Sequence, residues 1–457
     1  MNPRVSLTAL PLLACLAACG GTSPSTSSGP PGQAPSQAKS ELARTPASAV
    51  PQGDLQTAVA ANNAFAVDLY AHVLKNAPAG NLLTSPISAS LALTMTYAGA
   101  KGQTASQMAT ALHLGSAPST TIFAGQNALD QALESRAAAA LASDTQTARN
   151  DQEPAPSASD YDLHVVNSVW GEKTYPWASS FLDVMATDYG AGVYLEDFVH
   201  AADQARQSIN GWVSNQTADR INDLLPPGSV DDTTRMVLVN AIHLKLPWAN
   251  PFQTSRTQNA PFTRADGTTV SVPMMSQGFE GAGYADDGKA QILTLPLAGG
   301  AENVVIALPH GDLASYEAQL SAGSAALQPS AGSSVDVELT LPRVSFTSPT
   351  FSLAKALQAM GMVDAFDSST ADFSGLCPNP PDGRLYVSDV LQKAMLGMQE
   401  TGVEAAAATA VLVGTGAAPG QPIVMNVDRP FLISIVDGPT GAVLFLGHVE
   451  DPSQTGE

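Results

Sequence analysis

The sequence predicts an α+β fold, for three reasons. Helical and strand-like segments follow one another without regular alternation, which argues against a parallel βαβ architecture. Residues 335–341 read Val-Asp-Val-Glu-Leu-Thr-Leu, a two-residue alternation that suits a sheet with one wetted face. Of the 457 residues, 44% are hydrophobic and 13% charged, and mean hydropathy is +0.04. That is enough apolar side chain for one large domain or two ordinary ones.

The N-terminus reads as an export signal: Arg4, an apolar run over 5–16, then Ala17 and Ala18 before Cys19. It is too short to span a bilayer. Leu16-Ala17-Ala18-Cys19 resembles a bacterial lipobox, which implies removal of 1–18 and lipidation of Cys19. Gly20 after the cysteine, by resemblance to enterobacterial lipoproteins, favours outer-membrane sorting. The expectation is an exported chain, lipid-anchored at the outer membrane or cell surface on the periplasmic or extracellular side. An ordinary signal peptide processed elsewhere is the alternative. Cys377 is then left without a disulfide partner. Residues 21–50 are Ser, Pro, Thr, Gln, Gly and Ala with almost no large apolar side chain, so 19–53 is expected to be a flexible tether and 54–457 the domain.

Within the domain, Phe65, Leu69 and Val73 recur at spacing four, joined by Ala66, Tyr70 and Leu74, and mark an amphipathic helix ended by Gly80-Asn81. Ser85-Pro86 opens a second helix through Leu91, Leu93 and Met95, nearly apolar all round and therefore expected to be buried. Thr104 with Gln107 reads as the capping box of a third helix reaching Leu114, with Gly115 as its stop. An Ala-rich helix follows, and then a low-complexity surface insertion at about 143–159. Strands are expected at 163–170, 236–246, 292–297, 303–308, 335–346, 385–396, 423–427, 431–436 and 443–449, with helical runs at 201–216 and 353–360.

Composition and motif content exclude several functions. A net charge of −21 repels a nucleic-acid backbone, and 3 Cys cannot make a disulfide scaffold. Gly-x-Ser-x-Gly, His-Glu-x-x-His, Gly-Lys-Ser/Thr and Cys-x-x-Cys are all absent. The 7 His are scattered without metal-ligand spacing, and no calcium loop is present. The 414–420 run of Gly, Ala, Thr and Pro superficially looks like a nucleotide loop, but its spacing is wrong and Pro419 would break the helix such a loop must start. No enzyme activity, metal or cofactor is expected, and no basic cluster offers a heparin-like site.

One segment stands out. Residues 400–411 read Glu-Thr-Gly-Val-Glu-Ala-Ala-Ala-Ala-Thr-Ala-Val, after a strand and before a Gly/Ala/Pro run. Alanine favours helix, yet Gly402, Thr409, Val411 and Val413 do not. Small side chains throughout would let the segment slide into a sheet. In strand phase Val403, Ala405, Ala407, Thr409 and Val411 face inward and Glu404 faces water. A segment plausible both as exposed loop and as strand suggests a switch.

From about Asn62 to Pro452 the chain resembles a serpin. The resemblance rests on an ordered set: Phe65-Ala66, Leu69-Tyr70, Asn81, Ser85-Pro86-Ile87-Ser88, Gly99-Ala100-Lys101-Gly102-Gln103-Thr104 and Gln107-Met108. Further on come Ile209-Asn210-Gly211-Trp212-Val213, Thr217, Ile221, Leu224-Leu225, Val239-Asn240-Ala241-Ile242 and Trp248. Asp428-Arg429-Pro430-Phe431-Leu432 and Leu444-Phe445-Leu446-Gly447-His448-Val449-Glu450-Asp451-Pro452 close it.

The resemblance implies three sheets, about eight or nine helices and an exposed reactive-centre loop between Glu400 and about Ile423. It implies a monomeric serine protease inhibitor: the protease attacks the loop, forms an acyl-enzyme, and is trapped when the cleaved loop inserts into the large sheet. A non-inhibitory serpin, acting as a binding protein or simple substrate, is the alternative. The implied hinge is Glu400, Gly402, Val403, Glu404, Ala405, Ala406, Ala407, Ala408 and Thr409, with Gly402 at the bend. Taking Glu400 as the seventeenth residue before the scissile bond places that bond at Gly416-Ala417, with Thr415-Gly416 and Ala417-Ala418 also open. Small residues there point to elastase-like or subtilisin-like targets, and a papain-like one stays open. The sheet-opening region is Ser85, Ser88, Asn240, Trp248 and Gln392. Gln392 stands where the family usually has His, and Gly397 and Gln399 where it commonly has Glu and Asn, which would weaken the loop's anchoring.

Overall fold

Two long antiparallel strands, Asp162–Glu172 and Met236–Pro247, form the middle of the largest sheet, with Asn167 opposite Asn240. In the computed structural model, which describes residues 35–76, 79–330, 335–381, 383–404 and 421–454, this sheet has nine strands. On one side it continues through Val193–Glu196 to Gln37–Ala38, and on the other through Gly402–Val403 and Met395–Gln399 to Val344–Thr347. A six-stranded sheet and a four-stranded sheet complete the fold, with nine α-helical segments among the described residues. The α+β expectation of three sheets and about eight or nine helices is met.

Helix Pro86–Tyr97 shows why the fold is legible: its first eleven residues are buried all round. It packs against Asp162–Glu172 and Met236–Pro247 on one side and strand Ala442–Val449 on the other, so no face reaches water. Over the opposite face of the large sheet runs helix Phe198–Gln216, whose Ala205, Ile209 and Val213 pack with Val237, Val239 and Ala241. The large sheet is thus covered on both faces.

Several expectations are corrected. Residues 35–53, read as part of a tether, lie against the body, and the first long helix begins at Gln52. Gln37 and Ala38 pair with Tyr194 and Val193 at the sheet edge. The Arg44 Nε donates to Asn127 Oδ1 at 2.8 Å, its guanidinium pairs with Asp130, and Asn127 and Gln131 amides donate to Thr45 O. A polar segment cannot build its own core, but a sheet edge and a polar helix face accept it through main-chain groups. The capping box does not form: the Thr104 hydroxyl accepts from Asp372 N, and Gln107 Oε1 accepts from Val363 N and Asp364 N. Residues of the expected 143–159 insertion fall in helix Arg136–Asp151, closed by Gln152 in the left-handed region, so only the part after it is loop.

The 335–346 run divides at Arg343 into Val337–Pro342, in the four-stranded sheet, and Val344–Thr347, in the large one. The 385–396 run reduces to Val390–Gln392 and the start of Met395–Gln399. Strand Thr269–Phe279, not expected, pairs on both sides.

One buried charge makes stability pH-dependent. Glu302 is fully buried opposite Asp437, and neither carboxyl oxygen has a hydrogen-bond partner among the described residues; Arg136 Nε lies 3.8 Å from Glu302 Oε1 but gives its hydrogen bonds to Asp437. Burial, reinforced by the Asp437 charge, raises the Glu302 carboxyl from 4.5 to about 7. Because this pKa lies above the unfolded value, stability is fully present below about 4.5 and falls as pH rises towards 7, by on the order of 3 kcal/mol. Glu302→Gln, neutral throughout, is expected to flatten the fall in thermal midpoint between pH 5 and pH 8. An unchanged slope at fixed scan rate would reject this assignment.

Candidate functional site

The root of the candidate loop lies at the upper end of the large sheet. Gly402 and Val403 form a two-residue strand between two others: Val403 is opposite Leu246 on one side and Met398 on the other, and Gly402 is opposite Pro247 and Gln399. Val403 is 2% exposed and sits in the main core. Its β-branched side chain suits a pleated, fully paired site.

The residues before it are held on several sides. Glu400 is buried and its Oε1 accepts from Arg343 Nε at 2.9 Å and from the Thr257 hydroxyl at 2.5 Å. Burial pushes the Glu400 carboxyl up, but these two partners outweigh it and hold it below its ordinary value. The Phe252 amide donates to Glu400 O at 2.8 Å, the Trp248 amide to Thr401 O at 3.0 Å, and Trp248 Nε1 to Gln399 O at 2.7 Å. Trp248 therefore belongs to the loop root, not to a group with Asn240. Eight residue steps apart along one strand line, the two lie about 26 Å from each other.

Glu404 departs from expectation. It does not face water: its carboxylate is buried and Oε2 accepts from His243 Nε2 at 3.0 Å. The other nitrogen of His243 faces Asp162 Oδ2 at 2.9 Å, so both ring nitrogens donate to carboxylates and the ring is an imidazolium. Burial lowers the His243 pKa, but hydrogen bonds to Asp162 and Glu404 prevail and raise it to about 9. Asp162, also bonded by His164, is held well below the usual carboxylate range despite its partial burial. The bend expected at Gly402 occurs at Glu404, with φ +51°.

The second half of the site lies lower in the same strand. Gln392, 1% exposed, has Oε1 accepting from Ser85 N at 3.1 Å while Nε2 donates to Ser85 O at 2.8 Å and Asn240 Oδ1 at 3.2 Å. The Ser85 hydroxyl donates to Leu444 O, and the Ser88 hydroxyl lies 3.3 Å from Asn167 Oδ1 and Ala241 O. Gln392 thus hydrogen-bonds both main-chain groups of Ser85. Here Val390–Gln392 pairs in parallel directly with Leu238–Asn240, so the two strands are closed below and hold a guest strand above.

Sequence reasoning missed His243, Asp162, Arg343 and Thr257. A signal for His243 existed: it interrupts an apolar run from Met236 to Leu246 in which the other polar residues are Asn240 and Lys245. The hinge residues Ala405, Ala406, Ala407, Ala408 and Thr409, the bonds at Thr415, Gly416, Ala417 and Ala418, and Cys19 lie outside the described residues. Among the described residues no group of three or more His, Cys, Asp or Glu is placed to hold a metal. No described helix is long and apolar enough to cross a membrane.

The largest sheet is mixed, and a short strand from farther along the chain, Gly402–Val403, sits between two of its strands. The chain belongs to the serpin family: a family model described as serpin (serine protease inhibitor) matches residues 60–452. Human leukocyte elastase inhibitor is 33% identical over 401 residues, covering 86% of this chain and 98% of that protein. A serpin-like protein of Methanosarcina acetivorans is 31% identical over 405 residues, covering 87% and 88%. Among solved structures, human thyroxine-binding globulin superposes with TM-score 0.73 at 28% identity, covering 88% of this chain and all of the other. The thermophilic serpin tengpin in its native state gives TM-score 0.74 at 24% identity, covering 91% and 97%, a likeness of fold.

Proposed function

We propose that the chain inhibits serine proteases as a suicide substrate, with a reactive bond at Gly416-Ala417 and elastase-like or subtilisin-like targets. The observation that carries this reading is the seating of Gly402 and Val403 between Met236–Pro247 and Met395–Gln399. The register makes it quantitative. If the loop enters without a slip, the pairing of Val403 with Leu246 would bring Thr409 opposite Asn240 and Val413 opposite Met236. Insertion of 402–413 then fills the whole strand, and Gly416 passes its far end.

The faces agree as well. On insertion Ala405, Ala407, Thr409, Val411 and Val413 would come opposite Leu244, Ile242, Asn240, Leu238 and Met236, and those four apolar partners belong to the main core with Val403. No charged residue lies between Glu404 and Gly416, so the path beyond Glu404 carries no desolvation penalty for charge. The protease's own serine supplies the nucleophile, and the acyl-enzyme ester is carried to the opposite end of the sheet before water cleaves it. The strands closed by Gln392 must part, which makes kinetic metastability the working condition.

The lipid anchor is part of the same proposal and rests on the sequence: signal peptide 1–18, lipidated Cys19, and an exported protein at the outer membrane or cell surface. Its test is metabolic labelling with an alkynyl fatty acid, expected in the native sequence and lost in Cys19→Ala.

Incubation of the purified protein with elastase-like, subtilisin-like and trypsin-like proteases tests inhibition. SDS-stable complexes are expected with the first two, and mass spectrometry should locate the cut after Gly416. Rapid loop cleavage without complex would replace this reading with that of a non-inhibitory serpin.

A further inference from the structure

We propose that Asp162, His243 and Glu404 form a latch that holds the root of the reactive loop half-seated in the sheet, with His243 as a positioning residue for inhibition. The function of this latch rests on the inhibitory reading above, while its existence does not.

Three separate observations converge on it. Gly402 and Val403 are paired on both edges, and the ladder stops at Glu404, whose amide donates to Gly397 O at 2.8 Å but whose backbone turns into the left-handed region. That conformation is unfavourable for a side chain such as Glu and persists only when its surroundings hold it. The carboxylate is what is held, by His243 Nε2 at 3.0 Å, with His243 itself braced by Asp162. Gly397 makes the room: a Cβ there would lie 3.1 Å from Glu404 Cγ. The glycine and the carboxylate facing it are therefore one arrangement. The substitution of Gly for the family's commoner Glu creates a seat instead of merely losing an anchor.

Seating and stopping are two effects of the same contact. Residues beyond Glu404 can enter only after its backbone returns to an extended φ, which in the register places it opposite Lys245. The carboxylate must then leave or swing from His243. The latch thus keeps Val403 in the core and holds the next step until it breaks.

The charges facing it come from every packed element. Asp162 and His164 lie on the neighbouring strand and Arg220, past helix Phe198–Gln216, has Nε 3.9 Å from Glu404 Oε2. Lys245 is engaged by Asp160 on the same side. Weakening of the latch as pH rises through about 9 follows from loss of the His243 proton that bridges Asp162 and Glu404.

Hydrogen exchange of the intact protein over 400–404, corrected for intrinsic rates, tests the latch. His243→Gln is expected to raise exchange at Val403 and Glu404 at least tenfold at pH 7 and to abolish the loss of protection between pH 7 and 10 seen in the native sequence. Gly397→Ala removes no charge and should raise the same exchange by crowding Glu404. With an elastase-like protease, His243→Gln should form complex several-fold faster, the released root letting the loop reach farther. Unchanged exchange in His243→Gln, whatever Gly397→Ala does, overturns the latch. If the native sequence traps no protease, the inhibitory reading fails, and exchange still decides the latch.

Discussion

Val403→Arg is expected to reduce SDS-stable complex with an elastase-like protease by at least a hundredfold while cleavage after Gly416 continues. Val403 lies in the main core between Leu246 and Met398, 2% exposed. A guanidinium has no carboxylate on that face to meet it, since Glu400 and Glu404 are engaged by Arg343 and His243. Burying it unpaired costs several kcal/mol, enough to slow entry of the first loop residue by orders of magnitude. The acyl-enzyme then hydrolyses before insertion, and the inhibitor becomes a substrate. Val403→Thr, isosteric and uncharged, should retain complex formation. The stoichiometry of inhibition and a denaturing gel measure both variants, and a Val403→Arg chain that still forms complex as the native sequence does would end the insertion mechanism.

The second large effect is expected lower in the sheet. Gln392→Leu leaves Ser85 N and Asn240 Oδ1 without their partner in a site closed to water, and Ser85 O with only the bond from Ala89 N at 3.3 Å. Asn240 Nδ2 already lacks a partner among the described residues, so nothing there can compensate. At roughly 1–3 kcal/mol per unsatisfied buried group, the total is on the order of 3–5 kcal/mol, and the thermal midpoint at fixed scan rate should fall by several degrees. Gln392→His, which restores the side chain that the family usually carries there, should recover most of it. A shift below one degree in Gln392→Leu would show that the pairing of Val390–Gln392 with Leu238–Asn240, not the side chain, closes the strands.

The sequence legible at short range matched the structure. Helix Pro86–Tyr97 opens at Ser85-Pro86, as the missing N–H of proline favours, and its all-round apolar surface meant burial between two sheets. Strands Met236–Pro247 and Phe431–Asp437 are apolar on both faces and are buried on both. Patterns failed where a partner far along the chain competes. Thr104 and Gln107 have the spacing of a capping box, but they are the hydrogen-bond acceptors for Asp372 and for Val363 and Asp364, which a local window cannot include. Residues 36–47 look like a linker because they are polar, and they are ordered by polar partners at a sheet edge and on helix Ser119–Glu134.

The same division runs through the site. By itself the sequence determined the family, the small-residue segment after Glu400, and the substitution of Gln for His at 392, because these depend on side-chain identity and order. Only the tertiary structure decided that Val403 is already seated, that Trp248 belongs to the loop root, and that Glu404 is buried against His243. In strand phase Glu404 alternates to the outer face, and the sequence reads that face as water. It is not water there, because strand Asp162–Glu172 brings Asp162 beside His243, and Gly397 leaves open the space that the Glu404 side chain fills. Asp162 and His243 are 81 positions apart and His243 and Glu404 161, and only the folded sheet brings their charges together.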